Sequence, residues 1–507
     1  MNKAGPSLLL VALMISSMVI VTTVHFGKAQ SGTNVKGIIY SETTWTQANS
    51  PYTFTGPVAV AAGVTLTIQA GVTVNMSRYD LQVNGTLYAI GTSSNPINLV
   101  GTVSSYDASE IDFTSISSSW NQQTSSGSII QFAVLSDVAI NVNNVSPKID
   151  NDSFSDNYFM ILNAGISLDN ASAIITNNIF NSLGLNINYD SPIISNNRFI
   201  EPISTAISTS SNATISNNTI SGASSGAASG IVANINDNST IVGNLILNNL
   251  LAGSSPPTGE GITLINEPNS TVENNTIVDN PEGIDIANGL PTGLIEYNNI
   301  YGNLYNVYLS TSTSNISLPY NWWGTTDTQA INQTMYDYKD DYGLGNVTFV
   351  PFLTSPNTQA PTFVNATAGA GGSISPSGIV MTNYGGSQSF TITPNSGYYI
   401  VSVLVNRSSV GAVSTYTAQN IDGATTISAT FAPNPTPTPA QSSTSNPTPN
   451  PTSPTQTTTS TSTPSPTAKG SSSPTVPEFS PTVLLFIILV VSVSALLTAR
   501  KRRIRKN

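Results

Sequence analysis

Residues 175–180 read Ile-Thr-Asn-Asn-Ile-Phe, and the same apolar-x-Asn-Asn-x-apolar unit recurs through the middle of the chain. The second asparagine of each doublet returns after steps of 19 to 31 residues. A unit repeated in this way indicates a solenoid rather than a globular domain. The column of second asparagines is Asn178, Asn197, Asn218, Asn244, Asn275, Asn298 and Asn321.

A second short strand pattern lies between the doublets, as in Gly184-Leu185-Asn186-Ile187 and Gly261-Ile262-Thr263-Leu264. No segment has helical spacing over enough residues to form a helix. Short strands of this kind, repeated at a nearly fixed period, pair in parallel with their copies one coil away. We therefore predict an all-β parallel β-helix, about 60 Å long at roughly 4.8 Å per coil. The column asparagines are predicted to turn the chain in the left-handed conformation and to bond to their copies above and below.

The alternative solenoid is a leucine-rich repeat, whose period overlaps and which also carries an asparagine ladder. Its leucine spacing is absent, and no segment between the strands could form a helical back. The β-helix is therefore favoured.

The Asn-Asn repeat resembles the right-handed parallel β-helix repeats of the pectate-lyase-like superfamily. Residues 35–87, including Gly63-Val64-Thr65-Leu66-Thr67-Ile68, resemble the opening coils of archaeal and bacterial surface β-helix proteins. Asn321-Trp322-Trp323-Gly324-Thr325, with residues 345–353, is similar to their closing coil. The resemblance implies a right-handed β-helix over residues 31–357 with capped ends. It is specific for the fold and not for an activity.

The chain changes character after the repeats. Residues 361–432 contain short strand-like runs separated by turn residues, which predict a small all-β module. Gly371-Gly372-Ser373-Ile374-Ser375-Pro376 resembles the internalin-type B-repeat, which serves as a spacer in many surface proteins. Residues 433–477 are almost wholly Pro, Thr and Ser, so we predict an extended, disordered stalk.

Both ends of the chain carry targeting patterns. The apolar run 8–24 after Lys3 predicts a signal peptide over residues 1–30. The uncharged run 482–499, followed by a basic tail, predicts one transmembrane helix with a cytoplasmic end. Pro477-Glu478-Phe479-Ser480-Pro481 resembles the tail read by archaeosortases, which implies a sorting protease as a partner and assigns residues 478–507 to a sorting tail. A plain membrane anchor is the alternative, and either way the ectodomain is predicted to lie outside the cell.

The composition excludes several kinds of chemistry. The 507 residues include no Cys and one His, His25, in the predicted leader. A Cys nucleophile, a His-containing triad and a His/Cys zinc site are therefore excluded. Residues 31–477 hold seven basic and 25 acidic residues, a net charge of −18, so nucleic acid and acidic lipids are poor partners. About fifteen Asn-x-Ser/Thr triplets offer acceptors for glycans wherever the asparagine faces outward.

The best acidic constellation joins Glu260 and Glu282, each followed by Gly-Ile and one 22-residue step apart, with Asp285 close in sequence. Stacked at roughly 5 Å, like charges raise one pKa or recruit a cation. We predict a weak Ca²⁺ or sugar-binding patch here, the alternative being solvated turn residues. No catalytic residue, no metal ligand set and no other cofactor is predicted.

Other polar and aromatic residues are assigned no function. Arg198 has no acidic cluster beside it and is interpreted as facing solvent. The acidic run from Asp337 to Asp341, around Lys339, is interpreted as a solvated loop. Core packing is favoured over stacking on sugars for the aromatic residues of the last coils, namely Trp322, Trp323, Tyr297, Tyr301, Tyr305 and Tyr308.

We interpret the sequence as that of a membrane-anchored archaeal surface protein with a structural, adhesive or glycan-binding role. Its expected partners are extracellular glycans or envelope components. The alternative is a polysaccharide lyase or glycoside hydrolase, which would need two or three carboxylates converging in a groove.

Overall fold

The computed structural model describes residues 32–102, 109–155, 165–223, 229–235, 237–250, 258–266 and 268–435. The predicted signal peptide, transmembrane helix, sorting tail and nearly all of the stalk lie outside the described residues. Within those residues, no helix is long and apolar enough to cross a membrane.

Each coil of the repeat consists of three short strands, as in Ile193–Ser195, Arg198–Ile200 and Ile207–Ser210. The first strand precedes the asparagine doublet, the second follows it, and the third closes the coil. Every strand pairs in parallel with its copy in the next coil. The predicted all-β, right-handed parallel β-helix is thereby confirmed, with about 11 turns.

The strands form three sheets along the rod. The first sheet contains Thr43–Trp45, Thr65–Ile68, Thr86–Ile90, Ile129–Gln131, Lys148–Asp150, Ile174–Thr176, Ile193–Ser195, Thr214–Ser216, Thr240–Val242, Thr271–Glu273 and Ile295–Glu296. The second contains Thr73–Ser77, Ile97–Gly101, Ala133–Ser136, Ser153–Ser155, Ile179–Asn181, Arg198–Ile200, Thr219–Ser221, Leu245–Leu247, Thr276–Val278 and Asn299–Tyr301. The third contains Leu81–Val83, Ser109–Phe113, Val138–Asn143, Ile166–Asp169, Leu185–Asn188, Ile207–Ser210, Ile231–Ala233, Glu260–Ile265, Glu282–Ala287, Tyr305–Leu309 and Met335–Tyr336. At the N-terminal end, Thr33–Ile39 and Tyr52–Val60 are long enough to join both the second and the third sheet.

The interior of the rod is a column of apolar side chains stacked from coil to coil. Phe154, Phe180 and Phe199 stack with ring centroids 4.7 and 4.8 Å apart, and all three are fully buried. Strands only three or four residues long can hold a rod together because each contributes to one continuous core.

The seven column asparagines form an unbroken buried ladder. The backbone N–H and the Nδ2 of Asn197 both donate to Oδ1 of Asn218, at 2.9 and 3.0 Å. The Nδ2 of Asn197 also donates to the carbonyl oxygen of Ile175 in the preceding coil, at 2.9 Å. The pattern repeats from Asn178 to Asn321, so each amide satisfies a buried backbone turn.

One detail of the predicted turn is wrong. The left-handed residue is the first of each doublet, as at Asn196 with φ 58° and Asn217 with φ 55°, and not the column asparagine. Gly243, Tyr297 and Tyr320 take the same place in later coils. The two asparagines therefore have different roles. The first takes the left-handed conformation that bends the chain, and the second forms the buried hydrogen bonds of the ladder.

Both ends of the rod are closed by large side chains. Trp45 stacks on Tyr52 at 4.7 Å near the N-terminal end. At the other end, helix α1, Thr328–Gln333, is capped by Asp327, whose side chain accepts from the N–H groups of Gln329 and Ala330. Ile331 of this helix is buried in the rod's core, as is Trp323. The sequence pattern predicts no helix in this region. Helix α1 has only six residues, which is too short to show a helical period.

Beyond the rod, eight strands form a small two-sheet module. The strand pair Ile316–Ser317 and Val347–Thr348 closes the rod just before it. One sheet of the module contains Gly378–Thr382, Thr362–Ala368, Thr425–Pro433, Tyr398–Val405 and Ser408–Gly411, and the other Gly372–Ser375, Gly386–Pro394 and Thr415–Ile421. Phe390, Ile392 and Val403 lie in the module's own core.

The module packs back onto the second sheet of the rod. Leu245, Leu247 and Val278 point outward from that sheet and form a buried cluster with Phe363 of the module. A side-chain hydroxyl of Thr276 donates to the carbonyl oxygen of Pro361 at 2.5 Å. The module is therefore not an isolated spacer.

Arg198 lies at this junction, so its interpretation as a solvent-facing residue is wrong. Its Nη2 donates to the carbonyl oxygens of Ser377 and Ile379, at 3.5 and 3.3 Å. Burial lowers the pKa of the guanidinium below its usual value. The module covers this side chain, which sequence spacing within the rod could not indicate.

Candidate functional site

Glu260 and Glu282 occupy paired positions on adjacent strands of the third sheet, and the next residue in that column is Tyr305. The glycine after each glutamate holds this arrangement. A Cβ at Gly261 would lie 2.5 Å from the carbonyl oxygen of Gly283, and one at Gly283 would lie 2.6 Å from that of Asn306. Only glycine allows the coils to approach this closely, so the two glutamates are fixed one above the other.

Asp285 lies in a second column on the same side of the sheet. Its partners in register are Thr263 in the preceding coil and Tyr308 in the next, and Tyr336 follows Tyr308. Thr263 and Asp285 are 6 and 7% exposed. Oγ1 of Thr263 and Oδ1 of Asp285 are buried without a hydrogen-bond partner. Two neighbouring buried polar atoms without a partner are unusual, and an ordered water or a small ion would satisfy them.

The carboxyl groups titrate far from their usual ranges. Burial, together with the charges of Asp285 and Glu260, raises the pKa of Glu282 to about 8. Burial also raises the pKa of Asp285 to about 6, against the hydrogen bond from Ser310. Near pH 7, Glu282 therefore holds a proton while Asp285 is mostly ionised. Glu260 accepts from the hydroxyl of Ser229 at 2.5 Å.

Three tyrosine rings continue the two carboxyl columns. Tyr308 and Tyr336 stack with centroids 4.4 Å apart, and Tyr305 lies 5.5 Å from Tyr308 and 5.3 Å from Tyr336. Burial and the nearby Glu282 raise the pKa of Tyr308 to about 12. All three rings are partly exposed. We call the six residues the acid–tyrosine patch: Glu260, Glu282, Asp285, Tyr305, Tyr308 and Tyr336.

No cation partner balances the patch within the part of the chain that the structure describes. The ion pairs found there join Lys148 to Asp150 and Lys339 to Asp337. Among the described residues, no cluster of three or more acidic or His side chains has the arrangement of a metal site. Ca²⁺ binding by Glu260 and Glu282 thus stays a prediction.

The other singled-out residues are divided between core and surface. Trp323 is buried in the closing core, whereas Tyr297 is exposed and stacks on Tyr320. Asp337 is 1% exposed, which overturns its interpretation as part of a solvated loop. Its carboxylate accepts from the N–H groups of Lys339 and Val347, at 3.0 Å each, and so ties the closing segment together.

Two features of the rod escaped the sequence interpretation. A second amide ladder runs from Asn249 through Asn280 to Asn303, each five residues after a column asparagine, and that spacing could have revealed it. On the third sheet, Asn141 donates to the carboxylates of Glu110 and Asp112. The sequence signal for that second acidic cluster is the alternation of acidic and apolar residues in Glu110-Ile111-Asp112-Phe113.

A match to a protein family supports the fold of the repeat region. Residues 138–322 match the model of a family described as "Right handed beta helix region". The chain is similar to the crystal structure of the Dettilon tailspike protein, at 14% identity and a TM-score of 0.21, over 73% of this chain and 76% of the tailspike. It is also similar to that of a mutant of the periplasmic alginate epimerase AlgG, at 12% identity and a TM-score of 0.18, over 60% of this chain and 75% of the epimerase. No curated protein sequence matches the chain.

Proposed function

We propose that the protein is a surface-anchored β-helix that binds an extracellular glycan at the acid–tyrosine patch. One observation carries the proposal. Within a single coil step, two outward columns of the third sheet change from carboxyl groups to phenol rings. Surface anchoring rests on the predicted leader and C-terminal span.

The two kinds of side chain suit the two kinds of surface on a sugar. Aromatic faces pack against the C–H groups of a pyranose ring, while the phenol hydroxyl keeps a polar contact. Carboxyl groups accept hydrogen bonds from sugar hydroxyls, and the protonated Glu282 can also donate one.

The charge of the acid–tyrosine patch limits the class of glycan that it can bind. Asp285, which is mostly ionised near pH 7, and Glu260 have no ion-pair partner among the described residues, so this patch disfavours uronates and sulfated chains. A neutral or amino-bearing oligosaccharide is therefore the favoured ligand class, with the chain axis along the columns from Glu260 towards Tyr336.

Calorimetric titration with neutral, amino-bearing and uronate oligosaccharides tests the proposal. We expect binding of the first two classes and loss of about three- to tenfold in affinity for Tyr308→Ala, the value of a lost aromatic contact. Tyr308→Phe should retain most of the affinity. Tyr342→Ala is the control, because Tyr342 is 82% exposed outside the patch. Equal binding by Tyr308→Ala and wild type, or preference for uronates, would reject the patch as the site.

A second candidate function is glycoside hydrolysis, favoured by the divided pKa values of Glu282 and Asp285. The protonated Glu282 would give its proton to the leaving glycosidic oxygen, and an ionised carboxylate would activate water or attack the anomeric carbon. A reducing-end assay on the bound glycan class tests this. Hydrolysis that falls at least 100-fold in Glu282→Gln while binding persists would support it, and no release of reducing ends would leave binding alone.

A further inference from the structure

Among the Asn-x-Ser/Thr triplets at the edge of the rod where the third sheet turns into the first, five fall into one column. Thr214, Thr240 and Thr271 pair in register, so the asparagines two residues before them lie on successive coils. Ile316 pairs with Val347, so the asparagines directly before them, Asn315 and Asn346, also lie on successive coils. We call the set the sequon column: Asn212, Asn238, Asn269, Asn315 and Asn346.

All five asparagines of the sequon column are exposed. The hydroxyl residues two positions later are exposed as well, except the half-buried Thr271. Thr292 occupies the remaining coil, with its hydroxyl donating to Oδ1 of Asn269 at 3.2 Å. An outward asparagine ladder explains the amides alone, but it does not require an exposed hydroxyl at the second following residue.

Two other triplets in the same coils show the opposite arrangement. Asn217 and Asn274 begin Asn-Asn-Thr sequences at the edge covered by the C-terminal module. Their hydroxyl residues, Thr219 and Thr276, are 5 and 1% exposed. Nδ2 of Asn357 donates to Oδ1 of Asn274 at 2.8 Å. Asn217 itself is exposed and Asn274 is half-buried. The difference from the sequon column therefore lies in the hydroxyl residues, which are buried in these two triplets.

We propose that the sequon column is a site of N-linked glycan attachment in the exported protein. The donor class is a lipid-pyrophosphate-linked oligosaccharide. The side-chain amide nitrogen of the asparagine bonds to the anomeric carbon of the first sugar, and the bond from that carbon to the phosphate oxygen breaks. The amide loses one proton, and lipid pyrophosphate leaves. Recognition of the triplet requires the exposed hydroxyl.

Spacing along the column limits how many sites are filled. Adjacent coils lie about 4.8 Å apart, so glycans on neighbouring coils compete for space. Asn212, Asn238 and Asn269 are consecutive, whereas Thr292 separates them from Asn315. We expect molecules that carry one or two glycans among the first three sites, and a further one at Asn315 or Asn346.

The test uses the folded, full-length protein with a single-subunit oligosaccharyltransferase and its lipid-linked donor. The enzyme should first be shown to glycosylate two synthetic peptides, residues 235–243 and 271–279, which contain Asn238 and Asn274. Both triplets are then known to be substrates outside the fold. Peptide mapping by mass spectrometry then locates the sites on the folded protein. We expect glycan on the sequon column and none on Asn217 or Asn274. An unmodified folded protein, or equal modification of Asn217 and Asn274, would overturn the proposal.

A matched pair of variants separates recognition from a change in fold. Thr240→Val should abolish modification of Asn238, whereas Thr240→Ser should retain it. Neither variant should increase glycosylation of Asn217 or Asn274. Modification of Asn238 in Thr240→Val would show that the attachment does not depend on the triplet, and would count against the proposal.

Discussion

Asp152 takes the place of a ladder asparagine directly before Asn178: its backbone N–H donates to Oδ1 of Asn178 at 2.8 Å. Oδ1 of Asp152 accepts from the N–H of Ala133, while Oδ2 is buried without a partner. Burial raises the pKa of this carboxyl well above its usual value. The ladder therefore ends in an acid where every later coil has an amide.

Asp152→Asn should extend the ladder by one coil. A raised carboxyl pKa stabilises the fold fully below the unfolded value near 3.9 and loses that stabilisation as the pH rises. We expect the variant to be more stable by about 1–3 kcal/mol at pH 7, with the difference vanishing towards pH 3. Urea unfolding at both pH values measures this.

Asp237→Asn is the matched control for Asp152→Asn. Asp237 is also fully buried, but both its carboxylate oxygens accept hydrogen bonds, among them those from the N–H groups of Ser239 and Ser211 at 2.8 and 3.2 Å. An amide there would turn NH₂ towards donors, so this variant should lose stability at pH 7. If both variants shift stability in the same direction, the argument from the unpaired Oδ2 is wrong.

The two asparagines of a doublet should differ in how much a substitution lowers stability. Asn197→Ala removes a buried amide that accepts from the backbone N–H of Asn178 and donates to the carbonyl oxygen of Ile175, and the loss of both bonds should cost about 2–4 kcal/mol. Asn196→Gly keeps the positive φ that position requires and should change stability by less than about 0.5 kcal/mol. Chemical unfolding of both variants checks the assignment, and equal losses would contradict it.

Leu247→Ser should loosen the module from the rod. Leu247 points outward and is buried against Phe363, so the change exposes an apolar junction without touching the rod's core. We expect faster amide hydrogen exchange in Thr362–Ala368 and unchanged exchange in Ile231–Ala233. Ile200→Ser, on the same sheet but outside that apolar cluster, is the control. Unchanged exchange in Thr362–Ala368 would show that the packing contributes little.

Glu282→Gln should flatten the pH dependence of stability. With its pKa raised to about 8, Glu282 stabilises the folded chain below pH 4.5 and loses this contribution as the pH rises to 8. The wild-type Tm should fall over that range more than the Tm of Glu282→Gln. Glu296→Gln, on the first sheet, should follow the wild type. Parallel curves for all three proteins would place Glu282 in a solvated position.

Much of the fold was predictable because the repeat is local. The asparagine doublets and the alternating strands specify each coil. Coils that repeat this pattern stack with their apolar residues and asparagines in register, because a shift by one residue would turn the apolar side chains outward. Leu245-Ile246-Leu247 also departs from the alternation of other second strands, which is the pattern of a strand covered on both faces. What covers it is not local, since Phe363 is more than a hundred residues away.

The candidate site was predictable only in part. The 22-residue step placed Glu282 next to Glu260, but the step lengths vary between coils, so sequence alone could not align Asp285 with Tyr308 and Tyr336. The lengths of the loops between the strands determine which residues of the third sheet come into register, and those lengths differ from coil to coil. Burial of the carboxyl groups, which determines their protonation, also depends on neighbouring coils.

The sequence by itself determined an all-β solenoid with a buried asparagine ladder, because each coil repeats the same short-range pattern of apolar, bending and amide residues. Tertiary structure decided which carboxyl groups meet tyrosine rings, which asparagine triplets stay exposed and where Arg198 is covered. These depend on contacts between residues that lie in different coils or in the module, and such contacts are set by the closure of the whole rod rather than by any one segment.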